Sequence, residues 1–551
     1  MGAFPETTHT VQNQAEPRVN IHEYRKNQAL VEAVATYAPN AATATLDEIG
    51  EHVGTEAFQH AAEIVNTQIP VLHTHDRWGH RIDHVEFHSA YHDIMREALS
   101  YGAHSFAWTH AGAGANAERA ARFSLFAQIE PGHACPVSMT HAAVPSLMGT
   151  ELEEFWVPKL TNTGYDPRLI DPAEKQAVTF GMAMTEKQGG SDVRANTTSA
   201  TPCGDHYVLT GHKWFCSAPQ SDAFLVLAHL PQGLSCFLVP RVLPGGERNP
   251  FFIQRLKNKL GNKSNASSEI ELYGTRGWLV GEPGRGVHTI IEMVARTRLD
   301  CVIGSTAGMR QSVAEAAWHA HNRSVFGTKL IDQPLMRSVV ADLQLESEAA
   351  TWTMMHLAAA HDDESSEGKA FRRIATAIAK YWICKRGPGH AYEALECLGG
   401  NGYTEDFPLA RRYREQPVLA VWEGSGNVIV LDVLRAMGRD PHSAKHLMAF
   451  FESALGINDL YDARYEALAA DVQQALNILS SQDASAVAGL QRQGRVLVEQ
   501  LALMLQAAVL LNHAPREVAD AFALARLARD RGWEYGALPD GVAIEALLER
   551  A

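Results

Sequence analysis

The sequence predicts an α+β protein laid out as helices, a β-domain, a helix bundle and a further run of helices. Three observations predict it. From about Gln176 to Pro283, short apolar runs rich in β-branched and aromatic residues are punctuated by Gly, Pro, Asp and Ser, which is strand and turn chemistry. On both sides of that stretch apolar residues recur at three and four positions, the period of an amphipathic helix. Gly438-Arg439-Asp440-Pro441 then reads as a linker before a last helical region. A chain of 551 residues exceeds one ordinary core, and the expected parts are 1–180, 181–285, 286–440 and 441–551.

Taken in order, the first forty or so residues are polar and read as an extension. Thr45–His60 is predicted helical, with Asp47 and Glu48 in a first turn where negative charge suits the helix dipole. Tyr91–His104, Asn116–Gln128 and Thr150–Thr161 are predicted helices, with Asn116 as an N-cap. Tyr207–Thr210, Ala223–Ala228 and Cys236–Val239 read as strands, and Ser268–Tyr273 alternates Ile270 and Leu272 against Glu269 and Glu271. Thr306–Asn322, Leu335–His361 and Lys369–Leu395 are long and Ala-rich, which predicts antiparallel bundle helices.

Composition narrows the function. A net charge of −15 argues against a protein that coats a polyanion. Seven cysteines, an odd number with no C-x-x-C spacing, argue against a disulfide framework or a zinc ribbon and read as buried thiols in a reducing cytosol. The N-terminal twenty residues lack the pattern of a signal peptide. The apolar stretch near Leu501–Leu511 is broken by Gln506 and reads as a buried helix rather than a membrane span. No P-loop, G-x-S-x-G elbow or zincin motif occurs. His80, His84, His88 and His92 recur every four residues, but the intervening residues look extended, so no metal site is expected. Gly281–Gly286 has the wrong spacing for a dinucleotide fingerprint and reads as a turn.

Two segments carry chemistry. Met184-Thr185-Glu186-Lys187-Gln188-Gly189-Gly190-Ser191-Asp192-Val193 follows an apolar strand and combines glycines, which admit close approach of a ligand, with hydroxyl donors. Gly211-His212-Lys213-Trp214-Phe215-Cys216-Ser217 adds aromatic faces and another hydroxyl. A planar, partly polar ring suits that mixture; a β-turn with core aromatics is the alternative.

In sequence, this pair resembles the flavin-binding segments of the acyl-CoA dehydrogenase superfamily, usually "TEPGAGSD" and "GxKxWITN". Three later stretches resemble the family in the same order: Arg323-Ser324-Val325-Phe326-Gly327 ("R-x-x-F-G"), Leu398-Gly399-Gly400-Asn401-Gly402-Tyr403 ("GGNGY") and Trp422-Glu423-Gly424-Ser425-Gly426-Asn427 ("YEGTSE"). "TEKQGGSDVRANTT", "LGNKSNASSEIE" and "WEGSGN", with the extra C-terminal helices, are similar to the AidB branch, linked to the alkylation response.

The resemblance implies a helical N-terminal domain, a middle β-barrel, a C-terminal four-helix bundle and an added helical domain. It implies FAD as cofactor, an acyl-CoA or related thioester as substrate, and α,β-dehydrogenation with Glu423 as base. Flavin contacts carried over are Met182, Met184, Thr185, Gly190, Ser191, Phe215, Ser217, Trp422, Ser425 and Asn427. Arg323, Phe326, Gly399 and Gly400 would reach the FAD of a neighbouring subunit, which implies a homotetramer. In some branches the base lies earlier; the matching Ala295-Arg296-Thr297-Arg298 offers no carboxylate. Lys187-Gln188, Phe215-Cys216-Ser217 and Ser425-Gly426-Asn427 depart from the usual residues, which implies weak turnover. The AidB branch also implies contact with double-stranded DNA, for which Arg435, Arg526, Arg529 and Arg531 are candidates. Residues 441–551 hold nine Lys and Arg against fourteen Asp and Glu, a balance that argues against phosphate-driven binding; Arg435 flanks the linker, and Arg526 and Arg529, spaced three apart with Arg531 close by, read as a solvated helix face. A cytoplasmic protein with no membrane partner is expected.

Overall fold

A computed structural model of the chain describes residues 8–110, 112–481, 483–529 and 532–551. The N-terminal region comprises α1 (Gln28–Tyr37), α2 (Thr43–Val53) and α3 (Glu56–Thr67), a hairpin of β1 (Val71–His75) and β2 (Arg81–Glu86), then α4 (Ser89–Ser100), α5 (Phe106–Thr109), α6 (Ala115–Ala127), α7 (Ala134–Leu147) and α8 (Glu153–Leu160). Helix α1 corrects the reading of the first forty residues as an extension: Ala29, Leu30, Ala33 and Val34 form a buried face, and a buried Arg18–Glu23 pair at 2.6 Å ties down the segment before it.

Asn116 is not an N-cap. Gly114, at φ 91°, holds that position, and the capping oxygens come from Asp362, which accepts from the N–H groups of Gly114 (2.8 Å) and Asn116 (3.1 Å). No local pattern could reveal a cap supplied from so far along the chain. The four histidines do not share a face. His80 bonds Asp76 at 2.9 Å beside the hairpin turn, His84 lies in β2, His88 caps α4, and His92 inside α4 bonds the Tyr165 hydroxyl at 2.9 Å.

The middle domain contains β3 (Phe180–Ala183), β4 (Ser199–Cys203), β5 (His206–Ser217), β6 (Ala223–Leu230), β7 (Gly233–Pro240), β8 (Phe251–Leu256) and β9 (Ser267–Val280). β6, β7, β9, β5 and β4 pair in a closed circuit, with β3 parallel to β6 and β8 on β9. Closure into a barrel removes free strand edges. One buried charge pins the loop after β3. Glu186 accepts from Lys213 Nζ (2.8 Å), Thr197 N (2.6 Å) and Thr198 N (3.1 Å). Burial opposes its ionisation, yet Lys213 and these donors hold it well below the usual carboxylate range.

The bundle consists of α9 (Gly286–Asn322), the small hairpin β10 (Ser324–Val325) and β11 (Thr328–Lys329), then α10 (Pro334–Ala359), α11 (Ser366–Cys397), α12 (Pro408–Val421) and α13 (Gly426–Arg439). It continues into α14 (Pro441–Glu452), α15 (Asp459–Ser480), α16 (Ala484–His513), α17 (Arg516–Phe522) and α18 (Ile544–Leu548). The expected linker at 438–441 is a tight junction instead. Only Asp440 separates α13 from α14, and its carboxylate accepts from His442 N (3.2 Å) and Ser443 Oγ (2.7 Å). One apolar cluster runs from Leu30 through Trp352 and Ile378 to Leu505 and Leu547, so the last helices share the core of the rest. Pro408–Arg439 and Ala484–His513 are long and apolar enough to cross a membrane. The first is interrupted at 422–425, and in the second Leu501–Leu510 are buried in the core.

Candidate active site

Glu423 stands in the break between α12 and α13, where helix ends leave carbonyls without partners. Cations from two bundle helices satisfy them. Lys380 Nζ donates to the carbonyls of Trp422 (2.9 Å) and Gly424 (2.5 Å), and Arg298 Nε donates to that of Glu423 (3.1 Å). Arg298 is itself oriented by Asp432 at 2.7 Å, which Arg373 also pairs. These contacts hold Glu423 at φ 55°, a conformation that costs a non-glycine residue about 1–3 kcal/mol. Gly424 has φ 103°, and a Cβ there would meet Ile429 at 2.9 Å, so conformation and space both demand glycine.

The carboxylate is partly buried, and its Oε2 accepts from Thr297 Oγ1 at 2.9 Å. Burial raises its pKa above the ordinary carboxylate value, against the opposing influence of Thr297, Arg298 and Lys380. The position on α9 where sequence reading found no rival carboxylate therefore faces Glu423 and positions it.

The β-domain supplies the other wall. Met182 and Met184 are half-buried against an apolar cluster that also includes Trp108 and Cys135. Thr185 O accepts from Trp214 N at 2.8 Å, and a Cβ on Gly190 would lie 2.4 Å from Thr185 Oγ1. Ser191 is exposed. Phe215 is half-exposed, with Lys257 Nζ over its ring (4.6 Å) and that of Trp214 (3.3 Å). Ser217 Oγ lies 3.4 Å from Ser267 Oγ. The Cys135 thiol is pushed up to about 11 by burial, against the opposing influence of Lys259 and Ser217. Trp422 Nε1 is buried and has no partner among the described residues. An exposed serine hydroxyl, a half-exposed ring and an orphan N–H fit a flat heteroaromatic cofactor.

Beyond the base, Ser425 is exposed at the N-cap of α13 and makes no capping bond. Asn427 Oδ1 accepts from Arg495 Nε (2.9 Å) and Nη2 (2.7 Å) on α16. Thr297, Arg298, Lys380 and Arg495 are thus site residues that motif reading did not assign. Only the neighbourhood of Thr297 had been singled out; nothing local marks Arg495.

The remaining candidates lie elsewhere. From Thr297 to Arg323 α9 runs about 39 Å. Arg323 Nη1 donates to Asn13 O at 2.5 Å, and Phe326 is 95% exposed. Gly399 and Gly400 are open and lie at that same end, beyond Leu395 and Leu398, which pack with Ala316 and Ala320. One chain therefore carries two separated groups of candidate cofactor residues. Arg526 corrects the surface reading: its side chain is only 10% exposed, pairs with Asp342 (2.5 Å) and Glu346 (3.0 Å), and lies in a π-turn (Ala523–Leu527) that ends before Arg529. It shares no face with Arg529, which is exposed. Arg435 is exposed beside Asp432 at 3.4 Å. Arg531 lies outside the described residues.

The fold and the glutamate-bearing break define an acyl-CoA dehydrogenase, and the chain belongs to that family: residues 181–274 match its middle domain and 284–438 its C-terminal domain. Within it, residues 13–167 match the N-terminal domain of the adaptive response protein AidB. The chain is 42% identical to AidB of Escherichia coli (strain K12) over 94% of both chains. It is 29% identical to acyl-CoA dehydrogenase family member 11 of Caenorhabditis elegans over 86% of this chain and 80% of that one. The structure of Caenorhabditis elegans ACDH-11 with C11-CoA superposes with a TM-score of 0.85 at 25% identity, covering 97% and 95% of the two chains. Bd2924 in its apo-form gives 0.81 at 26%, covering 91% and 99%. The cofactor that goes with this membership is FAD, and the donor set fits it.

Proposed function

We propose that the protein oxidises an acyl-CoA thioester between its α and β carbons, with Glu423 removing the α-proton. The Thr297–Glu423 contact carries this reading. It sets a half-buried carboxylate of raised pKa, the property a general base needs near neutrality, against α9. Bound FAD would accept the hydride from the β-carbon. Thr185, Ser191, Ser217 and Ser425 would hold its polar edge, and Trp422 and Phe215 would flank the ring. Arg323, Phe326, Gly399 and Gly400 lie too far along α9 to serve the same chain's base, which supports a cofactor shared between chains of a homotetramer working in the cytosol. An anaerobic panel of acyl-CoA thioesters tests the assignment. At least one member should bleach the flavin, and Glu423→Gln should slow bleaching about 10²–10⁴-fold. A panel with no bleaching removes it.

The AidB relationship adds a second reading, binding of double-stranded DNA. The exposure of Arg529 and Arg435 favours it, while the ion-paired Arg526 takes no part. Salt-sensitive duplex binding should weaken in R435E/R529E; unchanged binding removes these residues from the interface.

A further inference from the structure

Arg296, one position before Thr297 on α9, is a buried cation without an anion. It is 7% exposed. Among the described residues it makes no ion pair. Its one hydrogen bond is a long one, Nη1 to Asn116 Oδ1 at 3.3 Å, and its Nε has no partner. Two other buried arginines, whose Nε atoms likewise lack partners, show how the fold treats the same problem elsewhere. Arg241 donates to the carbonyls of Pro219 and Asp83, and Arg310 to that of Lys26 at 2.8 Å and to Gln344. Arg296 has no carbonyl; it lies over the Trp108 ring at 4.3 Å. Buried charges are ordinarily paired, so this one is incomplete.

The carboxylates around it are engaged by other groups or lie beyond pairing distance. His361 is 3% exposed, and neither of its ring nitrogens has a partner. Burial, then the charges of Arg296, Arg372 and Arg119, hold it well below the usual imidazole range, so it is neutral and presents one unused N–H. Arg119 and Arg372 are matched by Asp300 and Glu364. Arg296 is not, although Glu292 and Glu364 bear on it from a distance. Asn116 cannot supply the charge, because its amide is neutral; its Nδ2 donates to Asp362 at 2.7 Å.

The position matters because Trp108, the other side of this guanidinium, packs in the same cluster as Met182 and Met184. Arg296 and Trp108 thus border the seam between α9, the N-terminal helices and the β-domain, next to Thr297 and the base it holds. We propose that Arg296 receives a carboxylate at the far end of the substrate's acyl arm, so that the preferred thioesters are ω-carboxyacyl-CoAs. A guanidinium fork matches a carboxylate in shape as well as in charge. The assignment rests on the thioester reading above.

Binding to the FAD-loaded protein, read by calorimetry and by perturbation of the flavin spectrum, tests it with length-matched ω-carboxyacyl-CoA and alkanoyl-CoA pairs. The ω-carboxy member should bind at least tenfold more tightly, and R296M should erase that preference while R296K restores part of it. Equal or tighter binding of the alkanoyl member in the wild type overturns the proposal whatever the variants do, as does a preference that survives R296M. If alkanoyl-CoAs bleach the flavin and the ω-carboxy members bind no more tightly, the thioester reading stands alone; if neither series binds, both readings fall.

Discussion

Glu423 is an ordinary carboxylate made unusual by three neighbours. Burial raises its pKa, and the Thr297 hydroxyl pulls it part of the way back. A hydrogen bond to the charged form lowers a carboxyl pKa. Thr297→Val should therefore move the acid limb of the kcat/KM profile to higher pH, with bound flavin retained; an unmoved limb would mean that the contact is idle during turnover. The same shift has a sign for stability. A carboxyl whose folded pKa exceeds its unfolded one contributes stability that is fully present below the unfolded value and is lost as pH rises through the folded value. At neutral pH Glu423 is thus a stability cost, as active-site groups commonly are. Glu423→Gln should melt no lower than the wild type at pH 7, and the difference should vanish in acid; a lower melting point at pH 7 would contradict this.

At the scale of elements, the barrel is organised round a buried pair. Lys213 on β5 also donates to Leu227 O on β6 at 2.8 Å, so one ammonium ties two strands to the Glu186 loop. Removing one partner of a buried pair costs about 3–5 kcal/mol. Lys213→Met should lower stability to chemical denaturation by about that much and release flavin, whereas a loss below about 1 kcal/mol would show that water replaces the ammonium. Much of this element was legible beforehand: the strand texture and the Thr185–Val193 and Gly211–Ser217 segments stand out by residue type. The pairing of Glu186 with Lys213 does not, because residues 27 apart in sequence carry no periodic signal.

At the scale of the molecule, the last helices brace the site. Gly494 on α16 packs so close to Val430 on α13 that a Cβ would lie 2.7 Å from it, and Arg495 beside it holds Asn427, four residues from the base. Arg495→Met should raise the flavin dissociation rate several-fold, measured by fluorescence on dilution, with Arg495→Lys intermediate; identical rates would leave α16 without a part in the site. The separation of Arg323 from Glu423 along α9 has its own test. If each cofactor spans two chains, E423Q and R323E are each inactive alone. Mixed oligomers then place an intact base and an intact arginine in one site of two, which restores on the order of a quarter of wild-type activity under random pairing. Absence of complementation would place both groups in service of one chain.

The sequence by itself determined the order of helical and β regions and the family motifs, because each is written in local periodicity or in short runs of residue types; the resemblance carried by those motifs is what singled out Glu423. The sequence also placed Arg526 on a surface and a linker at 438–441. Tertiary structure decided otherwise: Asp342 and Glu346 pair with that arginine, and Asp440 locks the linker into a helix junction. It alone decided that Asp362 caps α6, that Lys380 and Arg298 hold the base in a left-handed turn, and that Arg296 lacks an anion. Each of these is a pairing of polar groups far apart along the chain. Charge and hydrogen-bond partners are chosen by proximity in space, and proximity is what folding adds.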